Sequence, residues 1–331
     1  MWTRCRGLSR IGSAVNLLAT ADLYPMTLAI AAANPEYAIL VVDRRFTRNG
    51  ALVDDDASKA FVFESRVLRL AVSFAGVAEC EGFRTGQWLS DELRVRMSDD
   101  PNDFFSGLAR AADETIARLR CREKALWVVA SGFDLTARPP RPVFGIVTNG
   151  GFPPGLEESG PRGPGFRPVW CVYEGEDQTE GSYCITAGRT AAVTGPEREA
   201  IARLMRQRPP ARAVVGKVVE TIRAAADRPA AAGTIGKQMN VVVLSGDAAI
   251  PPEANYISEH DTTTAYLPTV IHARGIVPAL PVTSTTGAPL KVRRPPRRTD
   301  PCTCGSGRKF KDCHGKTEYA VGPRPTRHRR D

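Results

Sequence analysis

The stretch that decides the fold is MTLAIAAANPEYAILVVDRR, residues 26–45. Two apolar runs, Thr27–Ala33 and Tyr37–Asp43, flank Asn34-Pro35-Glu36. Proline fixes its own φ and cannot donate to a ladder, and asparagine favours turns, so the centre reads as a turn and the flanks as strands. The pattern recurs at Lys59–Phe63 and Val67–Ala75 around Glu64-Ser65-Arg66. Two helices are expected next, about 79–97 and 101–122. The second places Phe104, Phe105, Leu108, Ala111, Ala112 and Ile116 at helical spacing and has Pro101 in its first turn. Strands are expected at Ala125–Ala130, Val143–Val147, Val169–Tyr173 and Tyr183–Thr186, with Asn149–Pro168, rich in Gly and Pro, as a loop. Helices at Pro196–Arg206 and Pro210–Ala226 and a strand at Met239–Leu244 complete the order. Strands, two helices, strands, two helices and a strand imply an α+β domain with helices on both faces of stacked sheets.

The chain has 331 residues, enough for one large or two ordinary domains, and its 42% hydrophobic content excludes wholesale disorder. No run approaches the ~20 apolar residues of a membrane span. The net charge of +9 is local. Residues 291–331 hold 13 Lys/Arg against four Asp/Glu, and the other 290 residues hold 32 of each. A nucleic-acid reading of the basic pI therefore concerns the tail alone. Cys5, Cys80, Cys121, Cys171 and Cys184 show no paired spacing, which favours a reducing, cytoplasmic setting over a secreted disulfide scaffold. All four histidines lie at or beyond His260, so a general base in the central region is not expected to be histidine.

Thr27 lies 16 residues before Asp43 and 32 before Lys59, with Arg45 two beyond the aspartate. These residues resemble the proteasome β-subunit family of N-terminal-nucleophile (Ntn) hydrolases. That family opens its mature chain with a strand-initial Thr, has Asp-x-Arg about 16 residues on and Lys about 16 beyond. The resemblance covers roughly residues 26–246. It implies a four-layer αββα sandwich and an N-terminal threonine hydrolase acting on peptide or other amide bonds. A free α-amine at Thr27, with a reference pKa of ~7.7–8.0, would serve as base where histidine is lacking. Lys59 would lower that pKa by like-charge repulsion and Asp43 would fix Lys59 in place. The resemblance also implies an oxyanion N–H near Gly76, which here falls about three residues late. It implies a supporting hydroxyl at Thr190 in Ala187-Gly188-Arg189-Thr190, and an acid at Asp227. Ala230 stands where the family has Ser, with Thr234 as a substitute.

The C-terminal region holds a second motif, Cys302-x-Cys304-x8-Cys313-His314, with Gly305 and Gly307 in the loop. Three thiolates and an imidazole suit tetrahedral, structural Zn²⁺, which would supply the folding free energy that so short a segment lacks. The segment resembles the SEC-C motif, a zinc-binding tail found on the SecA preprotein-translocase ATPase and on other bacterial proteins. The resemblance implies docking to a protein or ribosome, and the arginine-rich flanks 293–298 and 324–330 suit weak contact with RNA phosphates.

The expected organisation is residues 1–25 as leader, propeptide or misassigned start; 26–246 as the Ntn domain; 247–298 as a Pro/Thr/Arg-rich linker with one further strand at Tyr266–Val270; 299–316 as the zinc knuckle; and 317–331 as a basic tail. Met26 precedes Thr27 where self-processing members have Gly, which favours a start at Met26. Three functions compete: the threonine hydrolase, a catalytically inactive proteasome-like scaffold acting as a zinc-dependent protein or RNA adaptor, and an RNA-binding accessory protein. Homo-oligomers are among the implied partners.

Overall fold

The two runs that flank Asn34-Pro35-Glu36 fold as β1 (Leu28–Ala33) and β2 (Tyr37–Asp43), and every residue of both is buried. Asn34 closes the hairpin: its Oδ1 accepts from the Glu36 and Tyr37 amides, each at 2.9 Å. The computed structural model describes residues 27–48, 51–54, 58–80, 82–96, 99–120, 124–150, 165–172, 182–259, 263–265, 269–272 and 275–277, with 299, 308, 309 and 312. After β2 come β3 (Phe46–Arg48), β4 (Ala51–Asp54), β5 (Ala60–Glu64), β6 (Leu68–Gly76), β7 (Glu79–Cys80) and β8 (Phe83–Arg84). Helices α1 (Thr85–Val95) and α2 (Pro101–Thr115) follow. Then come β9 (Leu126–Asp134), β10 (Arg141–Thr148), β11 (Arg167–Val172) and β12 (Tyr183–Gly188). Helices α3 (Gly195–Gln207) and α4 (Ala211–Ala226) precede β13 (Met239–Ser245), β14 (Glu253–Ile257), β15 (Thr263–Ala265), β16 (Thr269–His272) and β17 (Gly275–Val277).

Two sheets carry the domain. One runs β12-β1-β2-β13-β14-β15 and is antiparallel throughout; the other runs β11-β10-β9-β6-β5-β16-β17 and is antiparallel except where β16 lies parallel to β5. Alternation along each strand divides the side chains between faces. Ala29, Ala31, Leu40 and Val42 share one apolar cluster with Val62, Ala71, Ala75, Val129 and Ile146 of the other sheet. Leu28, Ile30, Ile39 and Val41 face the other way and pack with Ile201 and Met205 of α3 and Val214, Val218 and Ile222 of α4. Phe61, Phe63, Leu70 and Val72 pack with Leu89 and Leu93 of α1 and Phe104, Phe105 and Leu108 of α2. The helices begin where local chemistry satisfies free amides. Asp100 accepts from the Asp103 amide at 2.9 Å ahead of Pro101, and Thr194 and Glu197 form a capping box on α3.

Three expectations are corrected. Glu79–Cys80 and Phe83–Arg84 are not the start of a helix. They form the β7–β8 hairpin, which turns through Gly82 at φ +82°, and α1 begins only at Thr85. Helix α2 stops at Thr115 rather than near 122; Lys124 Nζ takes the Ala117 carbonyl at 2.7 Å just beyond it. The linker expected over 247–298 contains strands β14 to β17, which extend both sheets. β14, Glu-Ala-Asn-Tyr-Ile, has little apolar periodicity and owes its conformation to pairing with β13. The strand expected at Tyr266–Val270 is β16, Thr269–His272, with residues 266–268 outside the described set, and its Ile271 is buried in the cluster of α1 and α2. Among the described residues no helix is long and apolar enough to cross a membrane.

Candidate active site

The β1–β2 hairpin pairs Ala29 with Val42, so its open end brings Thr27 beside Asp43. Lys59 enters from the other sheet, one residue before β5. Thr27 is 3% exposed; Asp43 and Lys59 have no exposure. Lys59 Nζ donates to Thr27 Oγ1 at 2.6 Å and to the Arg45 carbonyl, and lies 3.5 Å from Asp43 Oδ2. It also stands 5.0 Å from the centre of the Phe46 ring, a cation–π distance.

Asp43 is fixed from three sides. Its Oδ1 accepts from the Leu28 amide at 2.6 Å; its Oδ2 accepts from the amides of Arg45 at 3.0 Å and Gly236 at 3.2 Å. Burial pushes its pKa up, and the Lys59 charge and these three N–H donors oppose that rise. A buried ammonium aimed at a hydroxyl oxygen stabilises negative charge on it, and a neutral amine there would accept its proton. The arrangement therefore suits activation of a threonine hydroxyl.

The Thr27 backbone is held as well. Its carbonyl accepts from the Arg189 amide at 2.9 Å. Gly188, opposite Leu28, has φ +86°, and a Cβ there would come 2.0 Å from the Thr27 carbonyl oxygen. Only glycine permits that approach. The same Cβ would lie 3.1 Å from the Ala75 side chain, so the end of β6 that carries Gly76 abuts this turn. Gly76 itself has φ +111° and pairs with Leu126.

Thr27, Asp43 and Lys59 thus come together, with Arg45 contributing its carbonyl. The Arg45 side chain points elsewhere, donating to the Gly233 carbonyl at 3.0 Å. Thr190 opens a single 3₁₀ turn, Thr190–Ala192, one residue past the amide bound to Thr27. Asp227 is not brought to the cluster. It ends α4, is 65% exposed and pairs with Lys237 at 2.8 Å. Thr234 is buried, its hydroxyl donating to the Ala231 carbonyl at 2.6 Å. Sequence reasoning missed Gly236 and gave Arg189 no role, since both act through backbone amides and carry no side-chain signature. It quoted Gly188 only as part of a turn. Cys302, Cys304, Cys313 and His314 lie outside the described residues. Among the described residues no group of three or more His, Cys, Asp or Glu is placed to hold a metal.

Comparison with known proteins identifies the C-terminal motif. Residues 298–316 match the SEC-C motif. Part of the chain is 49% identical over 39 residues to the protein translocase subunit SecA of Prosthecochloris aestuarii (strain DSM 271 / SK 413), which is 12% of this chain and 4% of that protein. It is 62% identical over 32 residues to SecA of Anaeromyxobacter sp. (strain Fw109-5), 9% of this chain and 3% of that protein. The chain thus matches only a small fraction of the length of these curated relatives. Among solved structures it is similar to a chain of the helical assembly of the Anbu complex from Pseudomonas aeruginosa. That match has a TM-score of 0.48 and 12% identity, and covers 71% of this chain and 88% of that chain.

Proposed function

We propose that the body of this protein is an N-terminal threonine hydrolase that cleaves peptide or other amide bonds, built as a four-layer αββα sandwich of the Ntn class. The observation that carries the reading is the 2.6 Å contact from Lys59 Nζ to Thr27 Oγ1, with Asp43 behind it. The layering is supported by the three apolar clusters, one between the sheets and one between each sheet and a helix pair.

The chemistry starts once the Met26–Thr27 bond is opened. The freed α-amine, kept neutral by the nearby Lys59 charge, takes the hydroxyl proton while Thr27 Oγ1 attacks the substrate carbonyl. A backbone N–H at Gly76 stabilises the oxyanion and the Thr190 hydroxyl supports the α-amine. The protonated amine then gives its proton to the leaving amine, and water hydrolyses the acyl ester by the reverse route. Asp43 and the Arg45 carbonyl hold Lys59. Asp227 is left out of this assignment because its carboxylate pairs with Lys237.

Cys302, Cys304, Cys313 and His314 form a donor set that fits a structural Zn²⁺, three thiolates and one imidazole filling all four positions. In this reading the metal folds the tail, and the tail docks the enzyme to a protein or ribosome in the cytoplasm, with weak RNA contacts from the arginine flanks and a homo-oligomeric body.

Intact-mass analysis of the purified protein, followed by capture with a β-lactone or epoxyketone probe, tests the proposal. The expected result is a chain beginning at Thr27 that is modified there, with no capture in Thr27→Ala. A chain that begins at Thr27 and resists the probe sinks the hydrolase reading. It would favour the inactive scaffold, whose function is binding through the SEC-C tail at residues 298–316.

A further inference from the structure

The Thr27 and Asp43 ends of the cluster are each held by a loop, and those loops are joined to one another at a distance from the chemistry. One limb runs from Gly188 to Ala192 and holds the Thr27 carbonyl through the Arg189 amide. The other runs from Arg228 to Gly236. It holds Asp43 through the Gly236 amide at 3.2 Å and Arg45 through the Gly233 carbonyl at 3.0 Å. Arg228 bridges the two. Its Nη1 donates to the Ala192 carbonyl at 2.6 Å and to Glu197 Oε2 at 2.7 Å, and its Nη2 donates to Glu197 Oε1 at 2.7 Å. Glu197 is in turn pinned at the start of α3, where its Oε2 accepts from the Thr194 amide at 2.9 Å and the Thr194 hydroxyl at 2.8 Å. A second tie runs the other way, from Arg189 Nε to the Ala230 carbonyl at 2.9 Å.

We propose that Arg228 and Glu197 are positioning residues, a planar two-point clamp that sets the spacing between the loop holding Thr27 and the loop holding Asp43. The inference rests on the hydrolase reading for its catalytic consequence, but the clamp itself is a property of the fold. A guanidinium can reach two carboxylate oxygens and a carbonyl at once because its donors diverge in one plane; a lysine ammonium at the same place reaches fewer of them. Without the clamp, the two segments keep the Arg189–Ala230 hydrogen bond and the shared burial of Ala192 and Ala231, neither of which fixes their spacing as a two-point ion pair does. The Gly236 and Arg189 amides would then open more often, and Thr27 and Asp43 would lose their fixed separation.

Two measurements on the full chain test this. The first is hydrogen exchange followed by mass spectrometry. Arg228→Gln should accelerate exchange at 189–193 and 233–237 by about tenfold or more while β9 and β10 keep their wild-type rates, and Arg228→Lys should fall between. The second is saturation kinetics with the epoxyketone probe. Arg228→Gln should lower the maximal rate of Thr27 modification by about tenfold with the half-saturating concentration unchanged, since alignment is lost and not probe binding. Arg206→Gln, which breaks the exposed Arg206–Glu199 pair of α3, serves as control and should match wild type in both. Wild-type exchange in Arg228→Gln at both loops, or acceleration spread evenly over β9 and β10 as well, overturns the clamp. If Arg228→Gln does not fold, Arg228→Lys is judged by the same two criteria. If the wild-type protein itself resists the probe, the hydrolase reading fails while the exchange experiment still decides the clamp.

Discussion

Lys59 Nζ lies 2.6 Å from the Thr27 hydroxyl oxygen and 3.5 Å from the Asp43 carboxylate, and neither charged side chain is exposed to solvent. The pair joins the two sheets, Asp43 ending β2 and Lys59 preceding β5.

Such a pair costs most when half of it is removed. Lys59→Met leaves the Asp43 carboxylate buried with backbone donors only and should destabilise the protein by about 3–5 kcal/mol. Asp43→Asn added to Lys59→Met removes the stranded charge and should recover part of that loss. Urea midpoints at neutral pH measure both, and a single variant within about 1 kcal/mol of wild type would show that the pair is dispensable to the fold.

Two glycines should respond oppositely to alanine. Gly188→Ala places a Cβ 2.0 Å from the Thr27 carbonyl oxygen at φ +86°, so the strand end must move. A loss of about 3 kcal/mol or more is expected, together with loss of probe capture at Thr27. Gly216 lies within α4, where an added Cβ meets open space, and Gly216→Ala should gain about 0.5–1 kcal/mol. Thermal unfolding of the two variants distinguishes a backbone requirement from a general sensitivity to substitution.

The clamp predicts an acid limb. The Arg228 guanidinium, the largest influence, holds the Glu197 pKa at about 2, below its usual 4.5. A depressed carboxylate pKa contributes stability that is complete above the unfolded value and is lost as pH falls through the folded one. Wild-type stability should therefore decline between about pH 4.5 and 2, by at most about 3 kcal/mol from this group, and Glu197→Gln should flatten that part of the profile. Parallel slopes for the two proteins in urea titrations across this range would contradict the assignment.

The zinc proposal has a stoichiometric signature. Elemental analysis should find one zinc per chain, and Cys313→Ser or His314→Ala should lose it. Among the described residues, the three apolar clusters draw on residues between Leu28 and Ile271. Chelation should therefore leave the main unfolding transition within about 2 °C of its original position. A large downward shift would mean that the tail supports the body.

Much of the body is legible because its strands are unusually apolar. Leu28–Ala33 and Tyr37–Asp43 are buried on both faces, so they read as continuous runs around an obvious turn. Thr27, Asp43 and Lys59 could be found because their spacing resembles that of the proteasome β-subunit family; in the fold the first two meet at the open end of one hairpin and the third immediately precedes β5. Residues 79–84 and most of 253–277 escape that reading for a common reason. Their strands are two to five residues long, often polar, and extended because a neighbouring strand supplies their hydrogen bonds. The partners of Thr27 and Asp43 were hidden in a different way. Arg189 and Gly236 are distant in sequence and donate through main-chain amides that any residue carries.

The parallel pairing of β16 with β5 has a mechanical consequence. Thr269–His272 run alongside Phe61–Glu64, on the strand that Lys59 opens, and the chain then continues through β17 toward the SEC-C segment. Tension on a docked tail would be delivered first to β17 and β16 and then to the strand next to Lys59. If the tail docks as proposed, the same pull would load the strand that begins one residue after Lys59, whose Nζ faces Thr27.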